Sequence, residues 1–145
     1  MAAGNPSTGS GYYTLGASLA IAGDFKNYTG NLVSSGSITM SGNWLNVGDF
    51  THDGGGTVNF DGVKQAISGR SIFWNLTSTG SSSDTLTFDY TSRQSVSGAL
   101  TLEGAASNLL SLRTTKTGSA SKLSLDASAG TSNVIVSVPL MYCPP

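Results

Sequence analysis

The only histidine of the chain, His52, lies in the run GDFTHDGGG, with Asp49 and Asp53 beside it and three glycines, Gly54 to Gly56, directly after. Carboxylates flanking an imidazole can orient it as a general base, and 24 serines and 16 threonines could supply a hydroxyl nucleophile. No Gly-x-Ser-x-Gly elbow accompanies them. Zinc wants three or four ligands from His, Cys or carboxylate. Here one His and two acids share a single turn, and the lone cysteine, Cys143, sits near the far end. No metal and no cofactor is therefore expected. Acids and glycines are also what a polar turn needs for its backbone, so His52 is read as marking a solvated corner.

The remaining candidates are far apart in sequence and mean something only if the chain brings them together. Glu103 and Asp126 are two such carboxylates, and Thr39, Asn59, Thr77 and Thr101 form a set of small polar side chains. What would position them is a repeat. The pattern apolar, small or polar, apolar or small, polar, Gly recurs as LAIAG at 19, ITMSG at 38, VNFDG at 58, LTSTG at 76 and LTLEG at 100. A sixth copy, LSLDA at 123, carries Ala127 in the glycine place. The first two copies match further, SLAIAGDFKNY against SITMSGNWLNV, which sets Phe25 over Trp44 and Asn27 over Asn46.

Apolar and polar residues that alternate put their side chains on opposite faces of a strand. No helical apolar period competes with this, and turn formers such as GNLVSSGS, HDGGGT, STGSSSD and KTGSAS fall between the copies. Short strands and turns repeating about every 20 residues make one coil of a solenoid. The spacing thus predicts an all-β, single-stranded parallel β-helix of about six coils. Residues 1–16 are read as an N-terminal cap or linker, 17–138 as coils and 139–145 as a C-terminal tail.

In this frame the first and third positions of each copy face inward: Leu19, Ile21, Ile38, Met40, Val58, Phe60, Leu76, Leu100, Leu102, Leu123 and Leu125. Phe25, Trp44, Phe50, Ile67, Leu86, Phe88, Leu109 and Leu112 complete the expected core. Eight places after each copy begins stand Asn27, Asn46, Asp84, Asn108 and Thr131, with Gln65 one place early. Equivalent residues of successive coils stack about 4.8 Å apart, and stacked amides bond along the stack, so a polar ladder is expected there.

The outward second positions are Ala20, Thr39, Asn59, Thr77, Thr101 and Ser124, a face of small polar groups that could contact a glycan. Thr39, Asn59, Thr77 and Thr101 are the ligand-binding candidates. On the fourth positions, Glu103 and Asp126 fall on adjacent coils if the sixth copy continues the stack. Their backbones would then be about 5 Å apart, the carboxyl separation of a retaining glycosidase. Solvated acids on an outer face are the plainer reading of the pair, so no catalytic residue is assigned.

Composition narrows the partners. Only 10% of residues are charged and the formal net charge is -1, so hydroxyls and amides must keep the surface wet. The seven cations, Lys26, Lys64, Arg70, Arg93, Arg113, Lys116 and Lys122, are scattered singly. No basic stripe is visible, and nucleic acid is not an expected partner. The longest apolar stretch, NVIVSVPL, is far below the roughly 20 residues that span a bilayer, so membrane insertion is not expected either.

The run GTVNFDGVKQAISGRSIFWNLT, with LTLEGAASNLLSLRTT after it, resembles the repeats of large secreted bacterial surface proteins. In those repeats coils carry a Gly-Thr-Val-x-Phe-x-Gly start, a Gln-x-Ile-x-Gly middle and an aromatic-x-Asn-Leu end. The matching residues are Gly56 to Gly62, Gln65 to Gly69 and Phe73 to Leu76, and the likeness extends over about residues 17 to 115. It implies a right-handed β-helix and an extracellular or cell-surface setting. After Arg113 the chain departs from it. There Val134, Val136 and Val138 are expected to form a last strand, with the prolines from Pro139 onward blocking further pairing. Self-association end to end or through a strand edge is the expected failure of an uncapped solenoid. The function expected is that of a structural or adhesive extracellular module that contacts glycans through its outer faces. An enzyme of the glycoside hydrolase type, using Glu103 and Asp126, is the alternative.

Overall fold

The computed structural model describes residues 12–79, 83–105 and 108–125. They form sixteen short strands and no helix. The first coil is β1 (Tyr12–Leu15), β2 (Leu19–Ile21) and β3 (Phe25–Asn27). The second is β4 (Asn31–Ser34), β5 (Ile38–Met40) and β6 (Trp44–Asn46), and the third β7 (Asp49–His52), β8 (Thr57–Phe60) and β9 (Lys64–Gly69). The fourth is β10 (Ser71–Phe73), β11 (Asn75–Thr79) and β12 (Thr85–Phe88), the fifth β13 (Arg93–Val96), β14 (Leu100–Glu103) and β15 (Ser111–Thr114). A single further strand, β16 (Lys122–Leu125), starts the next turn.

Each strand pairs in parallel with the strand three later, giving three sheets. The first holds β1, β4, β7, β10, β13 and β16. The second holds β2, β5, β8, β11 and β14, the third β3, β6, β9, β12 and β15. This is the parallel β-solenoid that the alternating pattern predicts, with five three-strand coils and one further strand among the described residues against about six coils expected. Among the described residues the first coil starts at Tyr12, which pairs with Asn31.

The sixth copy is where the pattern misled. LSLDA does not continue the second sheet: Leu123 pairs with Gln94 and Leu125 with Val96, on the first sheet. The motif apolar-x-apolar says only that one strand face is buried, and all three sheets have such a face. Thr131 and the expected last strand at Val134, Val136 and Val138 lie outside the described residues.

The glycines that close the second and third copies, Gly42 and Gly62, have a steric cause, whereas a Cβ on Gly23 would meet nothing. A Cβ on Gly42 would lie 2.3 Å from the Gly23 carbonyl carbon, and one on Gly62 would lie 2.1 Å from the Ser41 oxygen. At this corner successive coils meet backbone to backbone, so a side chain has no room.

The core runs down the inside of the three sheets. Phe25 stacks on Trp44 with centroids 4.0 Å apart, and Trp44 meets Phe50 edge-on at 4.7 Å and Phe73 at 5.4 Å. The indole N–H of Trp44 donates to Ser71 Oγ at 2.9 Å, so the largest buried ring is also satisfied. Phe73 and Val96, absent from the expected core, are fully buried. Leu109, Leu112 and Leu125 are instead 56%, 38% and 42% exposed. Leu112 lies in β15 and Leu125 in β16, the last strands of their sheets among the described residues, so neither has a further strand there to pack on.

The polar ladder is real over two rungs and then stops. Asn27 and Asn46 are paired residues, and Asn27 Nδ2 donates to Asn46 Oδ1 at 2.8 Å. The next partner of Asn46 is Gly69, not Gln65. The cause is corner length. Trp44 stands six residues after Ile38, but its partner Ile67 stands nine after Val58, and Phe88 twelve after Leu76. A fixed count from the start of each copy therefore drifts off the ladder. Asp84 falls before β12, and Asn108 lies in a corner where its main chain bridges Ala105.

Candidate ligand-facing surface

The second sheet assembles the row of small polar residues as its strand pattern predicts. Ala20 pairs with Thr39, Thr39 with Asn59, Asn59 with Thr77, and Thr77 with Thr101. Their inward neighbours Ile38, Met40, Val58, Phe60, Leu76, Leu100 and Leu102 are buried, which forces the row outward. Thr39, Asn59, Thr77 and Thr101 are each half-buried, flanked by the strands on either side. At the strand spacing of about 4.8 Å the four polar groups repeat along the solenoid axis.

Both edges of this face are braced by side-chain hydrogen bonds between coils. On the edge that follows the row, Asp24 Oδ1 accepts from Asn43, and Gln65 Nε2 donates to Met40 O and Gly42 O. On the edge preceding the row, Asn75 Nδ2 donates to Gly55 O at 3.2 Å and to Thr57 Oγ1 at 3.4 Å, while Asn75 Oδ1 accepts the Ala99 amide at 2.7 Å. Asn75 is therefore a corner brace between three coils. Beside it stands Trp74, 39% exposed, with its indole nitrogen over the glycine corners: a Cβ on Gly55 or Gly98 would lie 3.9 or 3.0 Å from Nε1. Trp74 is absent from the ligand-facing residues expected from the sequence, Thr39, Asn59, Thr77 and Thr101. Its signal was the break in alternation at FWNLT, where two aromatics in succession cannot both face inward.

Glu103 is exposed at the end of β14, in register with Thr79. Asp126 lies outside the described residues. The placement of the two acids side by side required a sixth strand on the second sheet, and β16 belongs to the first. Among the described residues no three His, Cys, Asp or Glu side chains come together.

His52 is not at a solvated corner. It is the last residue of β7 and 3% exposed, with its ring 5.8 Å from Phe50. Its Nε2 lies 2.8 Å from Gly36 O, which also accepts the Ser34 hydroxyl at 3.0 Å. A carbonyl can only accept, so Nε2 carries the proton, and Nδ1 is buried without a partner. Burial holds the imidazole pKa below its ordinary value, the Gly36 bond opposing the effect. The third glycine of HDGGG follows from the same packing, since a Cβ on Gly56 would lie 2.2 Å from His52 Nε2. Alternation through Phe50 and His52 was the available signal, and the flanking acids and glycines obscured it. Asp49 and Asp53, the acids beside His52 in sequence, are exposed.

Comparison of the chain with family models, with curated proteins and with solved structures found no match. Any function must be argued from the surface itself.

Proposed function

We propose that the chain is a structural or adhesive segment of an extracellular β-solenoid protein, of the kind built from repeats in large secreted bacterial surface proteins, and that its second sheet contacts glycans. The observation that carries this reading is the in-register row Thr39, Asn59, Thr77 and Thr101. Its hydroxyls and amide can each donate and accept, as a sugar hydroxyl requires. Trp74 at the edge supplies an apolar ring face for a pyranose. The buried inner face fixes the row on a rigid scaffold, so little order is lost on binding.

A panel of neutral glycans, scored for both binding and cleavage, tests the reading. Binding without cleavage is expected. Trp74→Ala should weaken it about tenfold, the equivalent of roughly 1.4 kcal/mol, and Thr77→Val should weaken it without changing the unfolding midpoint. Binding that is indifferent to both substitutions would place the contact elsewhere, and cleavage would return the glycoside hydrolase alternative.

A further inference from the structure

The scattered cations of the sequence are not scattered in space. Ser71 pairs with Gln94, and Gln94 with Leu123, on the first sheet. The residue before each is Arg70, Arg93 and Lys122, and Arg93 pairs directly with Lys122. Three of the seven basic residues thus occupy one position on three successive coils, all exposed. At about 4.8 Å per coil they lie within roughly 10 Å of one another along the axis. The preceding coil carries Asp49 at this position, two residues before Thr51, the partner of Ile72, so the cationic run is bounded on that side.

Like charges directly opposite one another on a sheet destabilise it, and over these distances salt screens them only in part. In a chain with so few charges, a row of three cations met by one acid, Asp49, at its end is a cost that folding does not require. Among the described residues none of the three side chains makes an ion pair or hydrogen bond. Asp89, the acid nearest in sequence to Arg93, is engaged within its own turn, accepting from the Thr91 amide at 3.0 Å and the Thr91 hydroxyl at 2.7 Å. The backbone beneath the row is held from inside the solenoid. Asn46 Nδ2 donates to Arg70 O, and Gln94 Nε2 donates to Gly69 O at 2.6 Å. At the corner leading into β13 stands Tyr90, half-exposed, with Lys116 Nζ 5.0 Å from its ring centroid. Lys116 lies in the corresponding corner before β16.

We infer that Arg70, Arg93 and Lys122 form a docking row for an acidic polysaccharide laid along the solenoid axis. The class of ligand rests on the glycan-contacting reading above, while the surface is a different one. An extended glycan advances by about one strand spacing per sugar ring, so a chain carrying a carboxylate or sulfate on each ring would meet one cation per coil. Guanidinium groups match such anions with two parallel hydrogen bonds. Nucleic acid suits the row less well. Its phosphates come about every 3.4 Å along a strand, and single strands want aromatic platforms, of which this corner has one, already covered by Lys116.

The test is binding of the full chain to polygalacturonate, to its fully methyl-esterified form and to poly-dT, across a salt series. Polygalacturonate should bind, with affinity falling as salt rises, and the ester should not. Arg93→Gln and Lys122→Gln should each lower the slope of log affinity on log salt by roughly a third, one contact in three. The triple variant with Arg70→Gln should lose binding and keep an unfolding midpoint at least as high as the parent's. Lys26→Gln with Lys64→Gln, off the row, should change nothing. Equal binding of the ester, an unaffected triple variant, tighter binding of poly-dT, or a triple variant that loses stability instead of affinity would each overturn the inference. Failure of polygalacturonate alone, with neutral glycans still bound, would leave the second-sheet reading standing. Polygalacturonate binding that depends on the row, without neutral binding, would reject only that reading.

Discussion

The second to fourth coils and the fifth differ in what fills them. The middle coils enclose Trp44, Phe50, Phe60 and Phe73, with buried hydrogen-bonding groups, Asn46, His52 and Ser71, set among the rings. The fifth coil is filled by Val96, Leu100 and Leu102, and its strand on the third sheet leaves Leu112 38% exposed. Outside, the cationic row begins at Arg70, on the fourth coil, and runs through the fifth to β16. A solenoid stabilises each coil only through its neighbours. The coils with neighbours on both sides can therefore carry the stability while those toward the end present the charge.

The sharpest way to break this contrast is to empty the middle. Trp44→Ala removes the ring that touches Phe25, Phe50, Phe60 and Phe73 and should cost about 3 to 5 kcal/mol in urea unfolding. Leu112→Ala, in the fifth coil, should cost below about 1 kcal/mol. Similar losses at the two positions would mean that the stability is spread evenly along the axis.

A smaller effect separates a structural histidine from a solvated one. His52→Ala should cost about 2 to 4 kcal/mol, because a buried ring and its bond to Gly36 are both lost. The same residue gives the fold a pH dependence of known sign. Its folded pKa is depressed, so the unfolded chain binds the proton more readily. The contribution is complete above the unfolded value of about 6.5 and is lost as pH falls from there through the folded value. Unfolding midpoints of parent and His52→Phe across pH 8 to 5 check this, the parent alone being expected to lose stability near the top of that acid limb. Parallel curves would show that His52 is free to charge in the folded state.

The smallest of the three effects is Asn46→Leu. It removes one of the acceptors of the Asn27 amide, which keeps Asp49 O, and the side-chain donor to the Arg70 carbonyl, and should cost about 1 to 3 kcal/mol. Because Arg70 opens the cationic row, the same variant should also weaken polygalacturonate binding in the folded protein. A loss of stability with binding intact would uncouple the inner ladder from the outer row.

Alternation and the recurring glycine were enough to establish strands, parallel coils and most of the core, from Ile38 through Leu102. Those features are local: a side chain's face follows from its parity along a strand, and a glycine from the close approach of one coil to the next. The row of Thr39, Asn59, Thr77 and Thr101 was legible for the same reason, since each member keeps a fixed distance from its own buried neighbours. Which residues of different coils meet is not local. It depends on the length of every intervening corner, and these corners grow along the chain, taking Gln65 and Asp84 off the asparagine ladder and Leu123 off the second sheet. It was also register that buried His52 between Ser34 and the aromatic core, and that gathered Arg70, Arg93 and Lys122 from intervals of 23 and 29 residues into one line. Strand character was decided by the order of residues, and the meeting of charges by the closure of the coils.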